Sequence, residues 1–235
     1  MQIHGLQKMT LLDYPGKVAC TVFLAGCNYA CPFCHNTQLL TTTAEPLMEA
    51  GELLAFLEKR KGVLDGVCIT GGEPTLNAGL KGLLKQIKNL GYETKLDTNG
   101  SRPDVLRQLV EEGLVDYVAM DVKNGPAQYG YTVGVEGVKL AAIEESLRFL
   151  IGGSVPYELR TTLVHPLHDA ASIEAMGRWL AGLVPGKLPR VLYLQSFADR
   201  ESVAFSGLSA PTSDEKKRYE QILLPFVQEV CSRGG

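Results

Sequence analysis

Short apolar runs alternate with amphipathic segments along this chain of 235 residues. Runs rich in β-branched residues predict buried strands, whereas apolar residues that recur every three or four positions predict helices packed on one face. The predicted strands are 18–24, 67–70, 94–98, 115–122, 157–164 and 191–194. The predicted helices are 47–59, 80–90, 102–112, 141–150, 170–183 and 213–231. The pattern therefore predicts six strand–helix units in order.

Strands that alternate with helices favour an α/β fold, with a parallel sheet and outer crossover helices. Six units are fewer than the eight that close the common barrel, so the pattern fits an open, partial barrel or a doubly wound sheet. No linker-like or low-complexity stretch interrupts the alternation. We therefore expect a single domain over residues 1–235.

Composition and charge exclude several classes of protein. The chain is 45% hydrophobic and 21% charged, with a net charge of −3, so it does not resemble a basic nucleic-acid or membrane-surface binder. No apolar run reaches the roughly 20 residues that span a bilayer, and the first residues lack the signal-peptide pattern. We expect a cytoplasmic protein with reduced thiols.

Three cysteines, Cys27, Cys31 and Cys34, lie in one short segment with the spacing C-x3-C-x2-C. Thiolates are soft ligands for iron–sulfur clusters or zinc, and three are one short of the four that usually hold a cluster. The motif therefore predicts a cluster with one open iron. The alternative is structural zinc with His35 as fourth ligand, although His35 adjoins Cys34 and neighbouring residues rarely bind one ion together.

The remaining three cysteines show no second cluster motif. Cys20 and Cys68 lie in apolar, strand-like runs and are expected to be buried and inert, and Cys231 lies near the end of the chain.

Polar residues follow or end the predicted strands, where sites form in parallel α/β folds. Besides the cysteine segment, these are Gly71-Gly72-Glu73-Pro74, Asp97-Thr98-Asn99-Gly100, Asp121-Val122-Lys123, Arg160 and Gln195-Ser196. The placement predicts one site at this edge of the sheet.

Individual residues of this set leave alternatives open. The two glycines permit close backbone approach to a ligand, and Glu73 can accept from an ammonium group, or the segment is an ordinary turn. Phe33 lies either in the core or against a bound planar ring. Arg160 needs a partner if it faces inward. His165 and His168 are expected to be loop residues.

The cysteine segment and the Gly-Gly-Glu-Pro segment together resemble the motifs of radical S-adenosylmethionine (SAM) enzymes. The resemblance implies a partial (β/α)6 barrel of the radical SAM type, and a [4Fe–4S] cluster on the three cysteines with SAM at its open iron. In that family, reductive cleavage of SAM yields a 5′-deoxyadenosyl radical, and the protein orients and shields the cofactor.

Further segments resemble the glycyl-radical-enzyme activases, such as the pyruvate formate-lyase activating enzyme. They are Cys34-His35-Asn36, 97–100 and 121–123, and the opening segment 11–17 is similar to activases of anaerobic ribonucleotide reductase. The resemblance implies SAM contacts from Phe33, His35, Gly71, Gly72, Glu73, Asp121, Lys123 and Arg160. It also implies a monovalent cation beside the SAM carboxylate, held by the Asp97 and Asp121 carboxylates and the carbonyls of Thr98 and Ala119. Two carboxylates facing an anionic ligand need a cation or protons between them.

The implied activity is that of an anaerobic oxidoreductase that removes hydrogen from a glycine of a partner enzyme and leaves a glycyl radical. The implied partner is anaerobic ribonucleotide reductase, followed by pyruvate formate-lyase, and a flavodoxin- or ferredoxin-like protein would donate the electron. Two alternatives are a radical SAM enzyme acting on a small molecule, as in deazapurine synthesis, and a non-catalytic iron–sulfur or zinc redox module. One departure is that residues 195–198 lack the histidine that the pyruvate formate-lyase activase has near the adenine.

Overall fold

The computed structural model of the chain describes residues 1–200, 203 and 205–233. The strands are β1 (Gln2–Ile3), β2 (Gly5–Thr10), β3 (Ala19–Leu24), β4 (Met48–Glu49), β5 (Gly66–Gly71), β6 (Glu93–Thr98), β7 (Tyr117–Asp121), β8 (Tyr157–Leu163), β9 (Val191–Ser196) and β10 (Glu229–Arg233). The helices are α1 (Ala50–Glu58), α2 (Leu80–Asn89), α3 (Pro103–Glu111), α4 (Tyr129–Val133), α5 (Leu140–Gly152), α6 (Ala170–Gly182) and α7 (Ser213–Leu223). No helix in this described part of the chain is both long and apolar enough to cross a membrane.

The first of two compact units comprises Met1–Asn28, Gln38–Thr98 and Asp104–Ala119. Its strands lie in the order β6-β5-β3-β2. Here β3, β5 and β6 are parallel, and β2 runs antiparallel to β3. Four apolar residues of α2 are buried, namely Leu80, Leu83, Leu84 and Ile87, as the helical spacing predicts.

The second unit comprises Tyr29–Thr37, Asn99–Pro103 and the chain from Met120 onward. The last two residues of β7 belong to it, and its strands lie in the order β10-β9-β8-β7. β8, β9 and β10 are parallel, and α6 packs against α7. The single domain expected over residues 1–235 stays a prediction, since the structure divides into these two compact units.

The predicted α/β fold with a mostly parallel sheet is confirmed, and a helix follows each of the six predicted strands before the next one begins. Strand β5 shows why a continuous apolar run predicts a strand here. Its first four residues are all buried, as expected for a parallel strand covered on both faces.

The predicted final helix over 213–231 is wrong in its second half. The helix ends at Leu223, and Glu229–Arg233 forms β10, which pairs in parallel with β9. Pro225 explains the early end, because proline cannot continue the hydrogen bonds of a helix interior. The apolar spacing that predicted one long helix instead spans a helix, a turn and a strand.

The predicted helix over 47–59 begins three residues later than expected. Met48 and Glu49 pair with β1, and Glu49 then caps α1 in a reciprocal arrangement with Glu52. Strand β2 was missed because it lies at an edge and its middle residues are exposed, so it lacks a period-two apolar pattern.

A buried ion pair fixes the C-terminal strand. Glu158 on β8 has a fully buried side chain, and its two oxygens accept from the Arg233 guanidinium at 3.0 and 2.8 Å. The same guanidinium lies 3.6 Å from the centre of the Tyr193 ring on β9. Arg233 therefore ties β10 to both β8 and β9.

Replacing Arg233 by Ala should destabilise the protein by about 3–5 kcal/mol, because it leaves the Glu158 carboxylate buried without this partner. The measurement is the midpoint of urea unfolding under reducing conditions. Arg148→Ala is the matched control, since it breaks an exposed helix pair with Glu144 and should cost under about 1 kcal/mol. Equal losses in the two variants would contradict the structural role of Arg233.

Candidate functional site

The cysteine segment starts at the carboxyl end of β3. Gly26 takes a positive φ of 95°, and its N–H donates to the Leu39 carbonyl at 2.8 Å. The N–H of Cys27 donates to the Leu40 carbonyl at 3.0 Å, so the base of the loop closes on itself. Farther along, the N–H of Cys34 donates to the Cys31 carbonyl at 3.0 Å and forms a turn.

The donor set suits an iron–sulfur cluster. Cys27, Cys31 and Cys34 form no disulfide bond, and each is partly exposed. Among the residues that the structure describes, no three His, Cys, Asp or Glu side chains converge closely enough to hold a single metal ion. A cubane cluster makes a different demand, because each cysteine ligand binds a separate iron.

The Gly-Gly-Glu-Pro segment lies against the end of β3. Gly71 pairs with Leu24 and has a φ of 126°, and a Cβ on Gly71 would lie 2.1 Å from the Leu24 carbonyl oxygen. A Cβ on Gly72 would lie 2.3 Å from the Gly26 carbonyl oxygen. The two glycines therefore allow this segment to pack directly on the base of the cysteine loop. The same lack of side chains also permits a ligand to approach the backbone here.

Glu73 holds this turn together from within. Its N–H donates to the Gly26 carbonyl at 2.7 Å, and its side chain is buried. One carboxylate oxygen accepts from the Thr75 N–H at 3.1 Å, from the Thr75 hydroxyl and from the Thr98 hydroxyl at 2.8 Å. The carboxylate thus joins the turn after β5 to the end of β6.

Asp97 on β6 has cationic and thiol neighbours. The Lys95 ammonium donates to its Oδ1 at 2.5 Å, and the Cys68 thiol lies 3.7 Å from the same oxygen. The prediction that Cys68 is buried is confirmed, and so is that for Cys20, whose pKa burial raises to about 12. Lys95 was missed, although its position two residues before Asp97 on a strand places both on one face.

In the second unit, Asp121 lies between two cations. Lys123 Nζ is 2.8 Å from one carboxylate oxygen, and Arg160 Nε is 3.0 Å from the other. Burial by itself raises the pKa of Asp121, but the charges of Lys123 and Arg160 outweigh it and lower that pKa to about 2. Arg160 therefore has the partner that an inward-facing arginine needs, in the Asp121 carboxylate.

Lys123 also faces the cysteine segment. Its ammonium lies 5.9 Å from the centre of the Phe33 ring, within the range of a cation–π contact. Burial tends to lower the pKa of Lys123, but the Asp121 carboxylate and the Cys31 thiolate raise it above its usual value. A fixed ammonium near Cys31 favours the thiolate, which is the form that binds iron.

Aromatic residues support the second half of the loop. Phe33 is buried in a cluster with Val164, Leu167 and Phe197, against which Cys31 packs, so it lies in the core. The His35 ring stacks on Phe197 with centres 5.8 Å apart, and its Nε2 lies 2.8 Å from the Ala198 carbonyl oxygen. These contacts fix the loop to the segment after β9.

Two buried polar residues hold the loop after β7. Asn124 donates to the Thr132 hydroxyl and the Leu167 carbonyl, both at 2.9 Å. His168 lies in the loop after β8, as predicted, and is buried there; its Nε2 lies 2.8 Å from the Lys123 carbonyl oxygen. Burial lowers the pKa of His168 and favours the neutral ring. His165, by contrast, lies 3.3 Å from the Glu215 carboxylate and is partly exposed.

The comparison with protein families decides the superfamily. The model of the radical SAM superfamily matches residues 21–168, which include the cysteine loop and every strand from β5 to β8. The chain belongs to the radical SAM superfamily. The cofactors of this superfamily are a [4Fe–4S] cluster and SAM, which the three partly exposed thiols and the neighbouring cations suit.

Three curated relatives of this radical SAM protein are similar to different extents. A protein of Methanocaldococcus jannaschii that carries the provisional name glycyl-radical enzyme activating enzyme is 28% identical over 98% of this chain and 95% of its own length. The pyruvate formate-lyase-activating enzyme of Clostridium pasteurianum is 32% identical over 52% of each chain. A 7-carboxy-7-deazaguanine synthase of Thermococcus kodakarensis is 26% identical over 75% of this chain and 74% of its own.

Solved structures share the fold. A domain of pyruvate-formate lyase-activating enzyme from Bacteroides vulgatus has a TM-score of 0.58 and 21% identity, covering 72% of this chain and 98% of that one. Streptococcus suis SuiB bound to the precursor peptide SuiA has a TM-score of 0.68 and 12% identity, covering 91% of this chain and 48% of that one. Together they confirm an α/β fold of the radical SAM type.

The ion pairs of Asp121 predict a pH dependence of stability. Its pKa in the folded protein is about 2, compared with 3.8 for an ordinary aspartate, so its contribution of about 2 kcal/mol is present above about pH 4. That contribution is lost as the pH falls towards 2. Asp121→Asn should therefore be less stable than the native protein at pH 6, and the difference should shrink at pH 3. Urea unfolding of the metal-free protein at both values checks this, and a difference that stays constant would contradict it.

Proposed function

We propose that this radical SAM protein is an activase of a glycyl radical enzyme. The observation that carries the proposal is the similarity to the Methanocaldococcus jannaschii activating enzyme, which extends over 98% of this chain and 95% of the relative. Its reaction would remove a hydrogen atom from a backbone glycine of the partner. It would therefore be an oxidoreductase with a protein substrate.

The proposed ligands of the cluster are Cys27, Cys31 and Cys34. When bound, the cluster and SAM supply a 5′-deoxyadenosyl radical by one-electron reductive cleavage. This chain's own residues hold the ligands in place: Gly26 closes the base of the loop, and the Cys31–Cys34 turn spaces the second and third thiols.

The proposed SAM contacts in the first unit are Gly71, Gly72 and Glu73. The buried Glu73 carboxylate accepts from Thr75 and Thr98, which fixes the conformation of the turn. We infer that backbone carbonyls of this turn accept from the SAM ammonium group, since the carboxylate already bonds to these side chains.

The proposed SAM contacts in the second unit are His35, Asp121, Lys123 and Arg160, with the buried Phe33 supporting Lys123 from the core. Two cations and one carboxylate leave a net positive charge in this group, which suits the SAM carboxylate. His35 is held through Phe197 and Ala198, and Phe33 contributes the face next to the Lys123 ammonium.

For the partner, the opening segment 11–17 favours anaerobic ribonucleotide reductase, with pyruvate formate-lyase as the next choice. The electron would come from a flavodoxin- or ferredoxin-like protein. We propose a cytoplasmic location, where thiols stay reduced and can bind iron.

A second candidate is a radical SAM enzyme that acts on a small molecule. The match to the Thermococcus kodakarensis 7-carboxy-7-deazaguanine synthase favours it, at 26% identity over 75% of this chain. That match covers less of this chain than the match to the activating enzyme, so we place this candidate second.

Replacing Cys31 by Ala should abolish 5′-deoxyadenosine formation, because a cubane with two protein ligands is not held. The measurement is anaerobic reconstitution with iron and sulfide, reduction with dithionite in the presence of SAM, and chromatography of the product. Cys231→Ala is the matched control, since this thiol lies on β10 beside Glu229. If the Cys231 variant lost iron and product while the Cys31 variant kept both, the ligand assignment would be wrong.

Incubation with SAM, reductant and anaerobic ribonucleotide reductase should give one glycyl radical per partner chain at most, seen as a doublet by electron paramagnetic resonance. A glycine-to-alanine partner should give none. Many turnovers of a small molecule without any protein partner, and no doublet with either candidate partner, would favour the second candidate instead.

A further inference from the structure

A lysine is buried inside the first unit next to Asp97. Lys95 and Asp97 lie two residues apart on β6, so their side chains share one face of the strand. The exposed fractions of the two side chains are 1% and 13%, and the Lys95 ammonium lies 2.5 Å from Asp97 Oδ1. A buried ammonium is stable only with an anionic or hydrogen-bonding partner, and Asp97 provides one.

A thiol completes this group. Cys68 on β5 lies 3.7 Å from Asp97 Oδ1 and 4.0 Å from the Lys95 ammonium, and its side chain is fully buried. The carboxylate thus has a cation and a weak donor supplied by two adjacent strands.

The second carboxylate of the expected cation site is also neutralised by side chains. Asp121 binds Lys123 at 2.8 Å and Arg160 at 3.0 Å. The resemblance implied that Asp97 and Asp121 bind a monovalent cation. Each of them instead pairs with a lysine or arginine of the same unit.

The charges of these groups leave little need for a free cation. Lys95 and Asp97 sum to zero, and Asp121 with Lys123 and Arg160 sums to one positive charge. A further cation at Asp97 would have to displace the Lys95 ammonium or lie beside it, and two like charges at short range in a buried place repel strongly. The donor set therefore does not fit the expected cation.

We propose that the Lys95 ammonium takes the place of a monovalent cation at Asp97, so that this enzyme binds SAM without such an ion. The statement about SAM rests on the proposed function, whereas the statement about Asp97 rests on the ion pair alone. Thr98 and Ala119 are then not cation ligands.

The first test replaces the cation around the native protein. Buffers of equal ionic strength contain K⁺, Na⁺ or the bulky N-methyl-D-glucamine cation. The melting temperature of the metal-free protein and the Kd for SAM of the anaerobically reconstituted protein should each be unchanged, the Kd within about twofold. A saturable rise in melting temperature or a tenfold gain in SAM affinity with K⁺ or Na⁺ alone would overturn the proposal.

The second test removes the ammonium. Lys95→Met should lower the melting temperature by about 5–10 °C in N-methyl-D-glucamine, because Asp97 loses its buried partner. K⁺ or Na⁺ should restore part of that loss, since the site freed by the lysine can then admit an ion. Lys88→Met, which breaks a more exposed pair with Asp116, is the matched control and should show no preference among the three cations.

A folded Lys95→Met protein that shows no preference among the cations would also overturn the proposal. If that variant does not fold, Lys95→Met combined with Asp97→Asn removes both charges and should fold with no cation preference. The melting temperatures use metal-free protein, so they test Asp97 even if SAM is never cleaved. If the protein forms no 5′-deoxyadenosine but its melting temperature does not depend on the cation, the proposed function fails and the inference about Asp97 stands.

Discussion

The contact between the carboxyl ends of β3 and β5 is the constraint on which the first half of the site depends. At Gly71 and Gly72 the two backbones approach so closely that a Cβ would lie about 2 Å from a carbonyl oxygen of the opposite segment. Two hydrogen bonds, from Gly72 to Leu24 and from Glu73 to Gly26, then fix the turn on the base of the cysteine loop. The same backbone contact therefore positions both the first thiol and the Gly-Gly-Glu-Pro turn. Only glycine allows the two backbones to approach so closely.

A second common feature is that three carboxylates on the strands, one fully buried and two partly exposed, each pair with at least one cation. Asp97 has Lys95, Asp121 has Arg160 and Lys123, and Glu158 has Arg233. Burying any of these charges alone would cost several kcal/mol, so the sequence must supply the partners together. The pairs differ in outcome, however. Glu158 joins strands and serves stability, whereas the group around Asp121 retains one positive charge that suits an anionic ligand.

The strand–helix order was predictable from the sequence, and so was the place of most candidate site residues at the carboxyl ends of their strands, because both depend on local patterns. Apolar runs such as 67–70 and the helical spacing of α2 identify elements, and the carboxyl ends of parallel strands meet at one edge. The path after Leu223 was not predictable from spacing, because Val227 and Val230 fit a helix face as well as a strand. The pair of Lys95 and Asp97 was also missed, since a lysine in a short strand suggests an exposed face until the burial of that face is known. The burial of Phe33 was left open for the same reason.

A tethered ammonium and an exchangeable ion are not equivalent ways to neutralise Asp97. A free monovalent cation must be captured from solution and pays the entropy of localisation at every binding event, whereas Lys95 is held at its site by the chain and its charge is present at any salt concentration. The ammonium also directs three N–H bonds, so it fixes the carboxylate in one geometry, while a spherical ion accepts several arrangements of oxygen ligands. A lysine in place of a free cation therefore gives Asp97 one fixed geometry before any ligand binds.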